Sequence, residues 1–173
     1  MTEHDSRCGG ANDQQLLDDV AEYGWHVLNV LDQADAPGWA YSIGLYQNFA
    51  HPEVIVFGQD IDLMHSMINT IGAGVRSGKT FEVDKQYPDL IDAYSCTFKS
   101  VAPLWKDFFL AFASWFYKET DYSVLQCFWP DFGARYPWQS DFNEYLISLQ
   151  PLLFNDDLSS ARVNGLVTSL EEL

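Results

Sequence analysis

Three side chains able to bind a ligand or transfer a proton lie close together in the first third of the chain. Ser42 supplies a hydroxyl, and His51 and Glu53 flank a proline, so an imidazole and a carboxylate lie in one turn. Such a pair can exchange protons or hold a ligand. The sequence does not define a nucleophile with a matching base, which covalent catalysis requires. These residues therefore predict a site and leave its chemistry open.

A second polar group follows the tryptophan at position 129. Asp131 and Arg135 lie in one turn, where Arg135 can either pair with Asp131 or hold an anionic group. Charged residues of opposite sign are costly to bury alone, so we expect the two turns to meet around one aromatic cleft. The predicted ligand-binding residues are Trp39, Tyr41, Ser42, His51, Glu53, Trp129, Asp131, Arg135 and Trp138.

Several of these residues also have a purely structural interpretation. His51 can bond a carbonyl group within its turn, and Trp39 and Tyr41 can pack in the core, as strand aromatics usually do. Cys96 and Cys127 fall in predicted strands and are expected to be buried thiols rather than nucleophiles. The sequence leaves both interpretations of the histidine and the aromatics open.

Two patterns resemble known sites but lack their context. Residues 73–80, Ala-Gly-Val-Arg-Ser-Gly-Lys-Thr, approach a phosphate-binding P-loop, yet they end a predicted helix, whereas a P-loop precedes one. His51 and Glu53 have the spacing of a zinc deaminase motif, but the Pro-Cys-x-x-Cys partner is missing. The remaining histidines have no metal-ligand spacing, so we expect no metal site and no cofactor.

The charge of the chain is lopsided, with 25 acidic and 9 basic residues and a net charge of -16. No Lys or Arg occurs from Cys8 to Val75. Nucleic acid and anionic membranes are therefore poor partners, whereas a basic protein is a good one. An acidic surplus also serves solubility alone, and both interpretations remain. The carboxylates predicted to contact a basic partner are Asp13, Asp18, Asp19 and Glu22.

The hydrophobic pattern predicts the elements that must position these groups. Alternation predicts antiparallel strands near five positions, Trp25, Trp39, Glu53, Tyr94 and Val124. Apolar spacing of three and four residues predicts helices capped by Asn12 or Asp13, by Asp60, and beginning at Pro103. The strand at Trp39 has a face of small residues that a second backbone or a ligand can approach. The predicted fold class is α+β, a mainly antiparallel sheet packed against two or three helices.

The length of 173 residues, 47% of them hydrophobic, predicts a single globular domain. We expect a flexible arm at residues 1–11, the domain at residues 12–154 and an acidic segment at residues 155–173. Three cysteines without a pairing pattern, and the lack of an apolar N-terminal segment, predict a reducing cytoplasm. The apolar helix after Pro103 is too short to cross a bilayer, so we expect no membrane insertion.

Several blocks of the chain form a recognisable combination: Tyr23-Gly24-Trp25-His26-Val27, Gly38-Trp39-Ala40-Tyr41-Ser42-Ile43-Gly44-Leu45, His51-Pro52-Glu53 with Phe57-Gly58, and Gln126, Trp129-Pro130-Asp131, Gly133, Arg135 and Pro137-Trp138. Together they resemble the bacterial family called domain of unknown function 4262, over roughly residues 15–153. Ser42 stands where such proteins commonly have Thr, which keeps the hydroxyl. The resemblance implies one cytoplasmic bacterial domain whose motif residues share a site, and it does not identify the ligand.

Two classes of function agree with these observations. The first is a non-catalytic interaction protein that binds a basic partner such as a toxin, in the manner of an immunity protein, and the charge favours it. The second is a pocket protein or enzyme that binds an anionic, nucleotide-like or flavin ligand near His51, Glu53, Asp131 and Arg135. The first is preferred because the sequence shows no catalytic pair.

Overall fold

The computed structural model describes residues 11–34, 36–163 and 166. Its strands are β1 (His26–Val30), β2 (Trp39–Ile43), β3 (Glu53–Phe57), β4 (Gln86–Ile91), β5 (Tyr94–Ser100) and β6 (Val124–Phe128). Its α-helices are α1 (Ala11–Glu22), α2 (Leu45–Phe49), α3 (Ile61–Arg76), α4 (Lys106–Phe109), α5 (Ala111–Tyr117) and α6 (Leu158–Ala161). Short 3-10 helices cover Pro103–Trp105 and Glu144–Leu149.

The six strands form one sheet in the order β1-β2-β3-β6-β5-β4. Neighbouring strands are antiparallel except for the central pair, β3 and β6, which is parallel. The parallel pair arises because the chain leaves β3 through α3, crosses to the far edge at β4, and returns through β5 to β6. This arrangement confirms the predicted α+β class with a mainly antiparallel sheet.

The five predicted strands are all present, and four elements were not predicted: β4, α2, α6 and the 3-10 helix at Glu144–Leu149. The strand β4 contains Pro88 and has a register shift between Tyr87 and Ile91, so its side chains do not alternate regularly. The helix α2 has only five residues and follows Gly44, which continues the alternating pattern of β2 in the sequence. Elements this short leave little periodic signal in a sequence.

Helices cover both faces of the sheet. On one face, α1, α4 and α5 pack against the odd-numbered residues of β2 and β3, and on the other face α3 packs against the even-numbered ones. The small side chain of Ala40 faces α3, so the face that the sequence predicted to be open is covered by that helix. On α3, Gly72 packs so tightly that an added Cβ would lie 2.4 Å from the Trp25 ring.

The predicted helix ends are correct for one helix and wrong for two. The Asp60 carboxylate accepts hydrogen bonds from two N–H groups in the first turn of α3, at 3.0 and 3.4 Å. The helix α1 begins before Asn12 and Asp13, so neither residue caps it. The helix predicted from Pro103 is a 3-10 turn and two short α-helices, separated at Leu110 by a residue with φ -124° and ψ 47°.

The globular domain continues past residue 154, where the sequence predicted its end. Ala161 and Val163 are completely buried in the core on the α1 face, and Leu152 N–H donates to Ala161 C=O at 2.8 Å. The predicted arm, apart from Ala11, and residues 164, 165 and 167–173 of the acidic end lie outside the described residues. Among the described helices, none combines the length and apolar character that crossing a bilayer requires.

Candidate functional site

Glu53 forms a completely buried polar centre at the start of β3. One carboxylate oxygen, Oε2, accepts a hydrogen bond from the Ser42 hydroxyl at 2.5 Å. The other, Oε1, accepts from Gly44 N–H at 2.7 Å, from Tyr46 N–H at 3.2 Å and from the Tyr117 hydroxyl. The predicted proximity of Ser42 and Glu53 is therefore present, and the carboxyl links β2, α2 and α5.

No cation pairs with the Glu53 carboxyl among the described residues. Burial raises the pKa of Glu53, although the hydrogen bonds from Ser42, Tyr117, Tyr46 and Gly44 each favour the ionised form. The pKa of the Tyr117 hydroxyl is raised as well, by burial and by the adjacent carboxyl. At this centre, burial favours the protonated form of the Glu53 carboxyl, whereas the hydrogen bonds favour its ionised form.

The local sequence forces the backbone donors toward Glu53. Gly44 has φ +118°, a conformation that residues with a Cβ rarely adopt, and an added Cβ would lie 2.7 Å from Gly24 C=O. This turn directs the N–H groups at the start of α2 into the protein, where Glu53 accepts two of them. The Ser42 hydroxyl also accepts from Val54 N–H at 3.0 Å, so it bridges the two strands.

His51 is buried and both of its ring nitrogens have partners. Nδ1 lies 2.8 Å from Pro52 C=O, and Nε2 accepts from Phe81 N–H at 3.1 Å. Because Nε2 accepts, the proton of the neutral ring lies on Nδ1, which donates to the carbonyl. Burial lowers the pKa of His51, and the bond to Pro52 only partly offsets it. This histidine holds the β4 side of the molecule to the β3 turn.

Asp131 organises the turn after β6. Its carboxylate accepts hydrogen bonds from the N–H groups of Gly133, Arg135 and Asn143, at 2.8, 3.0 and 3.0 Å. Burial would raise the pKa of Asp131, but these three donors and the charge of Arg135 lower it overall. Arg135 Nε lies 3.4 Å from Asp131 Oδ2, so the local ion pair is present. That nitrogen is buried and has no hydrogen bond within the described chain.

The two predicted turns do not meet, so the expectation of one shared cleft is wrong. His51 and Glu53 precede β3, whereas Asp131 and Arg135 follow β6. Glu53 pairs with Val124 at the beginning of the parallel pair, and β6 runs for five residues before the second turn starts. Five residues of strand span about 13 Å, so the turns lie at opposite ends of the sheet.

Three of the four predicted aromatic walls, Trp39, Tyr41 and Trp129, are core side chains with hydrogen-bonded polar atoms, and Trp138 is partly buried. Trp39 Nε1 donates to Phe109 C=O at 2.9 Å, and Trp129 Nε1 donates to Phe57 C=O at 2.7 Å. The Tyr41 hydroxyl accepts from Phe112 N–H at 3.2 Å. Trp138 stacks on Tyr136 with ring centroids 5.3 Å apart, and Lys99 Nζ lies 4.9 Å from the Trp138 ring. A ligand-binding role for these four aromatics stays a prediction.

A cleft of 380 Å³ lies along β1, between the end of α1 and one side of α3. Its lining combines one carboxylate, two imidazoles, two large aromatics, an amide and a guanidinium, on Asp19, Tyr23, Trp25, His26, Val27, His65, Asn69, Ala73 and Arg76. Within it, His26 Nδ1 lies 2.7 Å from Asp19 Oδ2, and Trp25 Nε1 donates to Asn69 Oδ1 at 3.0 Å. The Arg76 guanidinium lies 5.1 Å from the Trp25 ring centroid.

The residues that line this cleft are regularly spaced in the sequence, but their pattern matches no motif of known chemistry. The α3 residues of the lining, His65, Asn69, Ala73 and Arg76, are spaced by four, four and three positions, beside the apolar stripe. His26 belongs to the first of the family-like blocks. Which strand forms the edge of the sheet, and therefore lies beside open space, does not follow from the pattern of one strand.

The P-loop pattern ends α3, as predicted. Ser77 N–H donates to Ala73 C=O, and Gly78, with φ +97°, follows the last turn. The backbone N–H groups of this segment therefore donate to the carbonyls at the end of α3. Cys96 and Cys127 are buried, free thiols, and the hydrogen bond with Cys96, together with burial, raises the pKa of Cys127. Over the described residues, no group of three or more His, Cys, Asp or Glu is placed to hold a metal.

The acidic residues predicted to contact a partner are not equivalent. Asp13 is 5% exposed, so it cannot form part of a docking surface. Asp18 and Glu22 are exposed on α1, and Asp19 is partly exposed beside His26. Among the described residues, six carboxylates of the part of the chain without Lys or Arg reach the surface: Asp18, Asp19, Glu22, Asp32, Asp60 and Asp62.

Fold and site together define a small α+β protein whose motif residues build a buried structural centre, beside an open cleft at the edge of its sheet. The chain belongs to the family described as Domain of unknown function (DUF4262), whose model matches residues 19–143. This confirms the resemblance, and the matched range begins in α1 and ends at the residue that bonds Asp131. No curated protein and no solved structure matches the chain.

Proposed function

We propose that this protein is a non-catalytic interaction protein of the bacterial cytoplasm that binds a basic protein partner, as an immunity or toxin-neutralising protein does. The observation that carries the proposal is the surface of residues 11–75, where five of the described carboxylates are exposed, Asp19 is partly exposed, and no Lys or Arg occurs. Such a surface attracts positive partners over a Debye length of about 8 Å at physiological salt.

The state of the motif residues supports a binding role rather than catalysis. Ser42, His51 and Glu53 each have hydrogen-bond partners inside the protein, and all three are at most 4% exposed. A general base must reach the proton that it takes from a substrate. These groups reach only other groups of the fold.

A second candidate function is binding of an anionic, nucleotide-like or flavin ligand at Arg135. It is supported by Arg135 Nε, which lies near Asp131 without a hydrogen bond, on a side chain that is 43% exposed. Native mass spectrometry of protein purified from its own host distinguishes the two candidates. A retained small molecule favours the second, and a retained basic protein favours the first.

The test of the main proposal begins with recovery of the partner from host lysate and measurement of its association rate from low to high salt. Charge reversal at Asp18 and Glu22, both changed to Lys, is expected to slow association at least tenfold at low salt, because steering depends on local charge. The matched control changes Asp89 and Asp92, exposed near the opposite edge of the sheet, to Lys.

The control variant changes the net charge by the same amount, so it distinguishes an effect of the local surface at α1 from an effect of the overall charge. An equal loss in both variants would contradict a docking surface at α1. An acidic partner, or an association rate that is indifferent to salt and to both variants, would show that the net charge of -16 serves solubility alone.

A further inference from the structure

The two edges of the sheet differ in how well they are protected. At one edge, β4 contains Pro88 and an irregular register, features that prevent another strand from pairing. At the other edge, β1 has the sequence His-Val-Leu-Asn-Val, with a continuous register against β2 and neither Pro nor Lys. The next residue, Leu31, is 67% exposed. The β1 edge is therefore the one at which a further strand can pair.

The hydrogen bonds of β2 identify which β1 groups are open. Gly58 N–H donates to Gly38 C=O at 3.0 Å, so the even-numbered residues of β2 bond toward β3. The odd-numbered residues of β2 then bond toward β1, where their partners are even-numbered. Val27 and Asn29 therefore direct their N–H and C=O groups to the outer edge. Among the described residues, no backbone group outside β2 bonds to this strand.

The 380 Å³ cleft lies at the start of this edge, where His26 and Val27 of β1 line it between α3 and the end of α1, and we call this space the channel. Asn29 bonds His65 near the start of α3, and Trp25 bonds Asn69 one turn later, so α3 runs antiparallel to β1. Asp19 in α1 and Tyr23, which follows the end of that helix, form the opposite wall. An extended peptide placed between these walls would meet the free N–H and C=O groups of β1 along its length.

The charge around the channel selects its occupant. Asp19 lies in the wall, Asp62 lies in the turn of α3 before His65, and Asp32 follows the end of β1. The one cation of the lining, Arg76, already donates to Tyr23 C=O and covers the Trp25 ring. A second copy of the chain would bring two such acidic edges together, each on a molecule of net charge -16.

We propose that the outer edge of β1 binds an extended, Lys- or Arg-containing segment of the partner protein, which pairs with β1 as a seventh strand between α1 and α3. The inference rests on the proposed function, and it adds the place and the mode of docking. Backbone pairing supplies affinity in this mode, and the flanking carboxylates select basic side chains.

The test is a selection of binding peptides from a displayed library of random twelve-residue sequences. The full chain and two of its variants are the targets. Asn29→Pro removes the outward N–H without removing a bond to β2, and proline is tolerated on an edge strand. Asn29→Ala is the matched control, because it loses the same bond to His65 and keeps the N–H group. We expect basic peptides to be enriched on the wild type and on Asn29→Ala, with at least tenfold weaker binding to Asn29→Pro.

A second measurement on the unaltered protein covers the case in which Asn29→Pro does not fold. The best peptide is synthesised with N-methyl groups on alternate residues, in two sets, and only one set is expected to abolish binding, since alternate residues of a strand face its neighbour. Equal effects of the two sets, or enrichment of acidic peptides, would overturn strand addition. Pairing of β1 with a second copy, seen as a dimer that Asn29→Pro disrupts, would also overturn it.

The outcomes separate this inference from the proposed function. Basic peptides that bind equally well to Asn29→Pro and tolerate both methylated sets would leave a basic partner in place but exclude the β1 edge as its site. No enrichment of any basic peptide on the wild type overturns the inference, and salt-independent association with the native partner would remove the proposed function itself.

Discussion

The buried carboxyl of Glu53 allows the sharpest test of how this fold is held together. In Glu53→Ala, the N–H groups of Gly44 and Tyr46 lose their acceptor inside the protein. A buried donor without a partner costs about 1–3 kcal/mol, so this variant is expected to lose about 2–6 kcal/mol of unfolding free energy. Domains of this size have about 5–15 kcal/mol in total, and the loss is therefore large.

Glu53→Gln is the matched variant, because it keeps the shape and one carbonyl oxygen. That oxygen can accept the three donors that now bond Oε1, and only the Ser42 hydroxyl loses its acceptor. One lost hydrogen bond costs about 1 kcal/mol, and removal of a buried charge offsets part of it. Urea unfolding followed by tryptophan fluorescence measures both variants against the wild type.

The comparison of wild type and Glu53→Gln has a defined pH dependence. Burial raises the pKa of Glu53 in the folded state above its unfolded value of about 4.3. Between the two pKa values the folded protein holds one more proton than the unfolded chain. The stability of the wild type relative to Glu53→Gln therefore falls as the pH rises, by at most about 1.4 kcal/mol per pH unit, until the folded pKa is passed.

Unfolding at pH 5, 6, 7 and 8 checks this reasoning. A wild type that gains stability relative to Glu53→Gln as the pH rises would show that the four hydrogen bonds outweigh burial. A loss below about 1 kcal/mol in Glu53→Ala would show that the backbone donors are satisfied in another way, and the structural role assigned to this centre would then fail.

Two further predictions concern the glycine and P-loop-like segments. Gly44→Ala is expected to destabilise the protein more than Gly78→Ala. Both glycines have a positive φ, which costs about 1–2 kcal/mol for an added Cβ, but only at Gly44 would the Cβ also collide with a backbone oxygen. Equal melting temperatures for the two variants would contradict this. Lys79→Ala is expected to leave the melting temperature in ATP and magnesium unchanged, since the segment ends a helix; an ATP-dependent rise in the wild type that the variant lacks would refute it.

The sequence was sufficient for the elements whose signals are local. Alternation gave the five strands, and the apolar stripe with the Asp60 cap gave α3, because the residues that decide these elements are neighbours in the chain. Ser42 and Glu53 were also correctly grouped, since they lie on consecutive strands. Tyr117, which completes the same centre, lies 64 residues from Glu53, and nothing in its own surroundings marks it.

The failed prediction of a single cleft has one physical cause. The alternation of side chains in β6 is the same whether the strand runs parallel or antiparallel to β3. An antiparallel β6 would have brought Asp131 beside Glu53, and the observed parallel pairing places it at the other end. The cleft at β1 was missed for a related reason, because strand order depends on contacts between distant segments.

The parallel pair at the centre of the sheet has a consequence for how the chain folds while it is being synthesised. β3 and its partner are about 70 residues apart in the chain, whereas every other pair joins two consecutive strands. During synthesis, β1, β2 and β3 can assemble before β6 exists, and the uncharged run Val54-Ile55-Val56-Phe57 then borders open water. Such a run is prone to self-association, so the interval before residue 128 leaves the ribosome is when the nascent chain most needs protection by a chaperone.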